Sequence, residues 1–307
     1  MFPSFGCRSG TWVCLFIPAF VYNTAKGALT MQHRSLFVFD IETIPDTDAV
    51  PNLTGFTEPD LAARRAELER YHLEITDGRN SFPRQPFHRV VAISFLEAEI
   101  EYAGAQEIYY LKELRSGGEA GFDEAQLLQG FFQYFEHLKP RLVSFNGRTF
   151  DLPVLKYRAM AHGIAAPWLY GAGDKWNSYK SRYAMDWHCD LLDVLRDYGA
   201  STAIKLSEVC AVMGFPGKFG ADGSKVAEMI DTGDIQGVRD YCETDVLNTY
   251  LVYLRTMLHR GTVTQESYNR AVADVITMIE QAGDDRRHLG SFMEAWGKAS
   301  KNTFLLE

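Results

Sequence analysis

Four acidic residues and a tyrosine, in three separated segments, have the types and spacing to bind divalent cations together. Asp40 and Glu42 are one residue apart at the end of an apolar run, so strand alternation places both carboxylates on one face. Tyr241 and Asp245 are four apart and share a helix face, while Asp151 follows another apolar run. Crowded carboxylates need a cation, and bound cations can in turn receive a phosphate group. Taken together, the residues therefore predict a divalent-cation site.

Each of these segments also has an ordinary explanation when it is considered alone. Asp40 and Glu42 could form a solvated strand end, and Asp151 could cap a helix. Tyr241 could be a core aromatic residue and Asp245 a charge on a helix surface. The joint interpretation is favoured because all three segments occur in order, each on a suitable element.

The elements that must position these residues follow from the apolar patterns. Predicted strands cover Ser35–Ile41, Arg89–Ile100, Glu107–Leu111 and Arg141–Phe145. Predicted helices cover about Asp123–Leu138, Asp151–His162, Leu206–Met213 and Asp234–Leu258, with helical patterns in the remaining residues. The proline-rich residues 48–88 read as a surface insertion. This order predicts an α/β fold with a mixed sheet flanked by helices and further C-terminal helices.

Three motifs carry a resemblance to a known enzyme superfamily. The segments FDIETIPD, SFNGRTFDLPVL and YCETDVLNTYLVYLR resemble the three exonuclease motifs of the DEDD superfamily, and Tyr241 places the chain in its tyrosine-containing branch. The chain looks like the predicted stand-alone 3'-5' exonucleases related to the proofreading domain of family B DNA polymerases. The resemblance covers about residues 35–260 and includes the stretch PGKFGADGSKVAEM. It implies a ribonuclease H-like fold with a five-stranded mixed sheet.

The resemblance also implies a catalytic site with two Mg²⁺ or Mn²⁺ ions. Asp40 would bridge both ions, and Glu42 and Asp245 would complete the ion that carries the nucleophilic water. Asp151 would serve the second ion, partly through water. Tyr241 would orient the attacking water, since a phenol with a pKa near 10 is a poor base at neutral pH.

The implied substrate is the 3' end of single-stranded DNA, hydrolysed to nucleoside 5'-monophosphates in repair or proofreading. The backbone at Thr43 would meet the terminal 3' hydroxyl, and Asn146 and Phe150 would help to hold the last nucleotides, together with Tyr241. A second hypothesis concerns the segment between Trp168 and Trp187, where aromatic and basic residues alternate. Such a segment could guide a single strand, although its aromatics could equally pack in the core.

Three alternatives stay open. The same carboxylates could serve an exoribonuclease, because only contacts near the 2' position discriminate RNA from DNA. A non-catalytic nucleic-acid-binding module on a nuclease scaffold would be expected to lack a carboxylate, and all four are present. A structural or partner-binding α/β domain would agree with the net charge of −9 but would leave the ordered motifs as coincidence.

The remaining expectations concern organisation. We expect an N-terminal extension over residues 1–30 outside the fold, an exonuclease domain over 31–260 and a helical appendage over 261–307 packed on the same domain. We expect a cytoplasmic protein without a membrane span and without a polymerase domain in the chain. The five cysteines include no C-x-x-C pair, which disfavours a disulfide framework or a zinc ribbon.

Overall fold

A computed structural model of the chain describes residues 20–23, 30–119, 121–218 and 223–307. Its strands are β1 (Phe20–Asn23), β2 (Thr30–His33), β3 (Ser35–Pro45), β4 (His88–Ala103), β5 (Gln106–Ser116), β6 (Arg141–Ser144) and β7 (His188–Asp190). The first helices are α1 (Val50–Thr54), α2 (Leu61–Ile75), α3 (Glu124–Leu138), α4 (Asp151–Ala161), α5 (Pro167–Gly171) and α6 (Leu191–Leu195). They are followed by α7 (Leu206–Met213), α8 (Val226–Asp231), α9 (Ile235–His259), α10 (Gln265–Ala282) and α11 (Arg287–Ser300).

Strands β3 to β7 form one mixed sheet in the order β5-β4-β3-β6-β7. The pairs β3–β4 and β4–β5 are antiparallel, whereas β3–β6 and β6–β7 are parallel. The carboxyl ends of β3, β6 and β7 therefore lie along one edge, where α/β sheets commonly place their sites. The expected α/β fold, with a mixed five-stranded sheet and additional C-terminal helices, is confirmed.

Two hydrophobic clusters cover the two faces of this sheet. The first joins Leu36 and Val38 of β3 to the buried side of α9 and to residues of α10 and α11, including Trp296. The second joins the intervening residues Phe37 and Phe39 to α3, α4 and α5. Successive residues of β3 thus bury into opposite layers, as the pleat requires, and this alternation continues into the first acidic motif.

Residues 20–23 and residue 30 of the expected N-terminal extension belong to the described part of the chain. Strand β1 pairs with β2 in an antiparallel ribbon, but most of residues 1–30 lies outside the described residues. The division of the chain into an extension, a domain and an appendage stays a prediction. Among the described residues, no helix is both long enough and apolar enough to span a lipid bilayer.

Candidate active site

Strand β3 presents the first two carboxylates on its α9 face. Asp40 and Glu42 continue the row that begins with Leu36 and Val38, because they are separated from it by even numbers of residues. The pairing of β3 with β4 shifts register between Glu42 and Thr43. A bulge of this kind re-aims the side chains that follow it. Because the shift lies after Glu42, it does not change the orientation of Asp40 and Glu42. Both face the layer that contains α9 and its polar residues.

Helix α9 supplies the tyrosine and a third carboxylate. Tyr241 and Asp245 lie one helical turn apart, and both are buried. Burial raises the pKa of the Asp245 carboxyl, and the neighbouring charge of Lys218 and a hydrogen bond with Tyr241 partly oppose that shift. The two residues therefore act as one unit on the wall of the cleft.

Glu243 lies on the other side of α9, away from these residues. Its buried carboxylate accepts hydrogen bonds from Ser116 at 2.9 Å and from the Arg286 guanidinium, and it contacts His288 Nε2 at 2.7 Å. Helix α9 is thus tied to β5 on one side and to the C-terminal residues on another.

The loop after β6 delivers the fourth carboxylate. Asp190, at the end of β7, accepts the backbone N–H groups of Asn146 at 2.9 Å and Arg148 at 2.8 Å, which fixes the loop. Gly147 packs so closely that an added Cβ would lie 2.4 Å from Ser144 Oγ. Asp151 then begins α4 as its first residue. The N-cap position belongs to the preceding residue and has no side-chain hydrogen bond, so capping does not explain Asp151.

These elements converge on one cleft of about 590 Å³. Its lining includes all five predicted catalytic residues and two further residues predicted to bind substrate: Asp40, Glu42, Asp151, Tyr241 and Asp245, with Asn146 and Phe150. The three distant motifs are therefore brought together in space. Thr43 instead lines an adjacent cavity.

The carboxylates of the cleft are held in an unfavourable electrostatic environment. Burial, and then repulsion from Asp151, Glu42 and Asp245, raises the pKa of Asp40 well above its ordinary value. Burial followed by repulsion from Asp245 raises the pKa of Glu42 in the same way. Burial raises the pKa of Asp151 to about 7. These shifts show that the folded chain concentrates negative charge that nothing among the described residues fully neutralises.

The donor set fits hard divalent cations. The Oδ1 atom of Asp245 is buried and has no hydrogen-bond partner among the described residues, so one ligand position is left over. Ligand atoms of Asp40, Glu42 and Cys242 lie within 4.8 Å of one another. Because Mg²⁺ and Mn²⁺ prefer oxygen, the carboxylates are the expected ligands. Burial raises the pKa of the Cys242 thiol well above its ordinary value, which argues against thiolate ligation.

Lys218 is a residue of this site that the sequence patterns did not identify. Its Nζ donates to the Tyr241 hydroxyl oxygen at 2.8 Å and lies 3.8 Å from Asp245 Oδ2. It brings a positive charge to the tyrosine and partly offsets the raised pKa of Asp245. The only signal in the sequence was its place in the stretch PGKFGADGSKVAEM, which assigned it no role.

The segment predicted to guide a single strand lies apart from the cleft. The segment between Trp168 and Trp187 is divided: Tyr179 is buried in the core, as both tryptophans are, whereas Trp176 and Tyr183 are exposed. No described residue of this segment lines the cleft, and the strand-guide hypothesis stays a prediction.

The sequence His188-Cys189-Asp190 forms β7, and Cys189, Cys210 and Cys242 are free and buried.

Comparison with known proteins adds a family to this geometry. Residues 80–296 match the model of a family described as "Predicted 3'-5' exonuclease related to the exonuclease domain of PolB". The match includes Asp151, Tyr241 and Asp245 and begins after Asp40 and Glu42.

Two curated proteins, both catalytic subunits of DNA polymerase epsilon, show weaker similarity over shorter regions. The one from Kluyveromyces lactis is 30% identical over 134 residues, which cover 39% of this chain and 6% of the relative. The one from Candida glabrata is 26% identical over 154 residues, which cover 45% of this chain and 7% of the relative. The chain thus spans a small fraction of these two proteins.

Among solved structures, the family B DNA polymerase from the hyperthermophilic archaeon Pyrobaculum calidifontis superposes with a TM-score of 0.43 and 17% sequence identity. The superposition covers 82% of this chain and 29% of the polymerase.

Proposed function

Because the chain belongs to the family of predicted 3'-5' exonucleases related to the exonuclease domain of PolB, we propose that it removes nucleotides from the 3' ends of single-stranded DNA. The products are nucleoside 5'-monophosphates, and the reaction depends on two divalent cations, Mg²⁺ or Mn²⁺. The observation that carries this proposal is the convergence of four carboxylates and a tyrosine from three motifs on one cleft.

Asp40, Glu42, Asp151 and Asp245 would hold the cations, with Asp40 shared between them, Glu42 and Asp245 serving one and Asp151 serving the other. When bound, the cations stabilise the charge on the scissile phosphate and lower the pKa of the attacking water. The carboxylates are desolvated and repel one another in the folded chain, which favours the binding of cations.

Tyr241 acts as a neutral hydroxyl that orients the attacking water. Burial, and then repulsion from Asp245, Glu42 and Asp40, raises the pKa of Tyr241 above its ordinary value, so the phenol stays protonated at neutral pH. Lys218 donates to the phenol oxygen and fixes its position. Asn146 and Phe150 line the same cleft and hold the terminal nucleotides, and Thr43 lies at its border.

The polarity of degradation tests the proposal. With Mg²⁺ or Mn²⁺, a single-stranded DNA labelled at its 5' end is expected to shorten stepwise, whereas a 3' label is expected to appear at once as a mononucleotide. RNA of the same sequence is assayed in parallel, and EDTA is expected to block both patterns. Internal cleavage, or shortening that starts at the 5' end, would contradict the proposal. Faster degradation of the RNA would assign the site to an exoribonuclease.

Lys218 offers a second prediction. Replacing it with methionine keeps most of the length of the side chain and removes the ammonium group, so Tyr241 loses this hydrogen-bond donor. We expect kcat to fall about 10- to 100-fold, as is typical when a group that orients a catalytic residue is removed. Lys218→Arg should retain more activity than Lys218→Met, because it keeps the charge. Equal kcat for the wild type and Lys218→Met would show that the contact has no role in the reaction.

A further inference from the structure

A second cavity of about 450 Å³ lies beside the carboxylate cleft. The two share Ile41, Glu42, Phe150 and Gly223 in their linings, so they form one continuous depression. The far wall of the second cavity comes from the insertion between β3 and β4, through residues of α2 and of the loop at Ser81–Pro83. The surface insertion therefore borders the site.

Three aromatic rings form a shelf on this cavity. The Phe82 ring lies 4.9 Å from the His88 ring at 40° and 6.0 Å from the Phe150 ring at 41°, centroid to centroid. His88 and Phe150 meet edge to face at 4.9 Å. His88 is buried, but 57% of Phe82 is exposed. The Phe82 ring thus packs on the His88 and Phe150 rings and remains largely exposed to solvent.

Hydrogen bonds hold the supporting ring in place. His88 Nε2 lies 2.8 Å from the Pro83 carbonyl oxygen, and because a carbonyl can only accept, Nε2 carries the proton. His88 Nδ1 then accepts from the Thr43 hydroxyl at 3.0 Å. Thr43, next to Glu42, is in this way linked to the loop that carries Phe82.

The loop itself is anchored at two further points. The backbone N–H of Arg84 donates to His72 Nε2 at 3.0 Å, and Gln85 Nε2 donates to the Thr149 carbonyl oxygen at 3.1 Å. The second bond joins the insertion directly to the loop that precedes Asp151. A fixed aromatic surface loses little conformational entropy when a ligand stacks on it.

The charges around the cavity favour a neutral occupant over a phosphate. Arg65 lines the cavity, but its guanidinium is paired with Asp231, with Nη2 to Oδ1 at 2.7 Å. Glu69, on the same wall, would repel an anion. A nucleobase has an uncharged, flat π-face, and base stacking on aromatic side chains is a common way to hold single strands.

We propose that Phe82, supported by His88 and Phe150, is a stacking site for an unpaired nucleobase near the 3' end of the strand whose terminal phosphodiester lies in the carboxylate cleft. This inference rests on the proposed function and extends it to the insertion. An internal base of a duplex is stacked on both faces, so the shelf favours single strands.

The test combines a protein substitution with a matching change in the DNA. Single-stranded oligonucleotides carry one abasic nucleotide at each of the last four positions in turn, and kcat/KM is measured for the wild type, Phe82→Ala and Phe82→Trp. The wild type is expected to lose about 5- to 100-fold at one abasic position, the usual range for one stacked base. Phe82→Ala should show the same loss on intact DNA and no further loss at that position. Phe82→Trp should restore most of the activity.

Binding measured by fluorescence anisotropy makes the outcome independent of catalysis. The same substitutions and oligonucleotides are compared in an Asp40→Asn background with Mg²⁺, where the dissociation constants should follow the same pattern. Phe122→Ala, which removes a partly exposed aromatic residue that lines neither cavity, is the matched control and should behave as the parent.

The inference fails if Phe82→Ala binds intact DNA as tightly as its parent, or if its loss adds to that of every abasic position. It also fails if no abasic position weakens binding to the parent protein. A wild type that does not shorten any oligonucleotide but shows the coupled binding pattern would instead contradict the proposed function and leave the stacking site supported.

Discussion

Asp40→Asn is expected to lower exonuclease activity by about three orders of magnitude or more, the scale seen when a residue of a catalytic unit is removed. Asp40 lines the same cleft as the other three carboxylates, and the charges of Asp151, Glu42 and Asp245 contribute to its raised pKa. An amide keeps its shape but cannot bind two cations. The measurement is the rate of shortening of a 5'-labelled oligonucleotide at saturating Mg²⁺. Activity within tenfold of the wild type would remove Asp40 from the mechanism.

The same substitution is expected to raise stability when cations are absent. Asp40→Asn removes one of the mutually repelling charges, so the free energy of unfolding in EDTA should increase by about 1–2 kcal/mol, as for other active sites built at a cost in stability. Glu101→Gln, on the exposed end of β4, removes a carboxylate outside the cleft and should change neither activity nor stability. A less stable Asp40→Asn would indicate that the loss of activity reflects a folding defect.

Removal of divalent cations is expected to abolish activity and to destabilise the protein more at high pH than at low pH. Asp151 has an ordinary pKa of 3.8 and a folded pKa of about 7, and the pKa values of Asp40 and Glu42 are also raised. Between about pH 4 and 7 the folded chain therefore binds more protons than the unfolded chain. The protonated carboxyl groups therefore contribute to the stability of the folded chain at low pH, and this contribution is lost as the pH rises towards 7.

Cations reverse this loss because they bind the deprotonated site. We expect Mn²⁺ at about one hundred times its dissociation constant to stabilise the protein by about 2–3 kcal/mol at pH 8 and by much less at pH 5.5. Thermal unfolding with Mn²⁺ and with EDTA at both pH values gives the comparison. Burial lowers the pKa values of His33 and His188, which makes the stability rise with pH. This contribution is the same with Mn²⁺ and with EDTA. Equal stabilisation at the two pH values would argue against a carboxylate cation site.

The fold could be predicted from the sequence wherever the apolar pattern was long. Helix α3 begins within one residue of its predicted start, and α7 has its predicted bounds. Strand β3 extends past its predicted end at Ile41 to Pro45, because the acidic residues still pair with β4. The fifth strand, β7, has only three residues, too few for a periodic pattern, and its position could not be read from the sequence.

The site could be predicted where a motif names its residues, and not where distant segments meet. Asp40, Glu42, Asp151, Tyr241 and Asp245 line one cleft as the motifs implied. Lys218 and Phe82 lie in irregular segments without periodicity, and their proximity to the cleft depends on how those loops pack. Nothing in the order of residues connects position 82 with position 150. Only the folded chain brings the two rings together.

Helix α9 is held on the side opposite the cleft by residues from the C-terminal part of the chain, which lie outside the three motifs. Glu243 stands between Tyr241 and Asp245 in sequence, yet its partners Arg286 and His288 come 43 and 45 positions later. A shortened version ending with α9 would retain every motif residue but would lose Arg286 and His288. Glu243 would then lack the charge of the Arg286 guanidinium. The C-terminal residues thus hold the helix that carries Tyr241 and Asp245, although Arg286 and His288 do not line the cleft themselves.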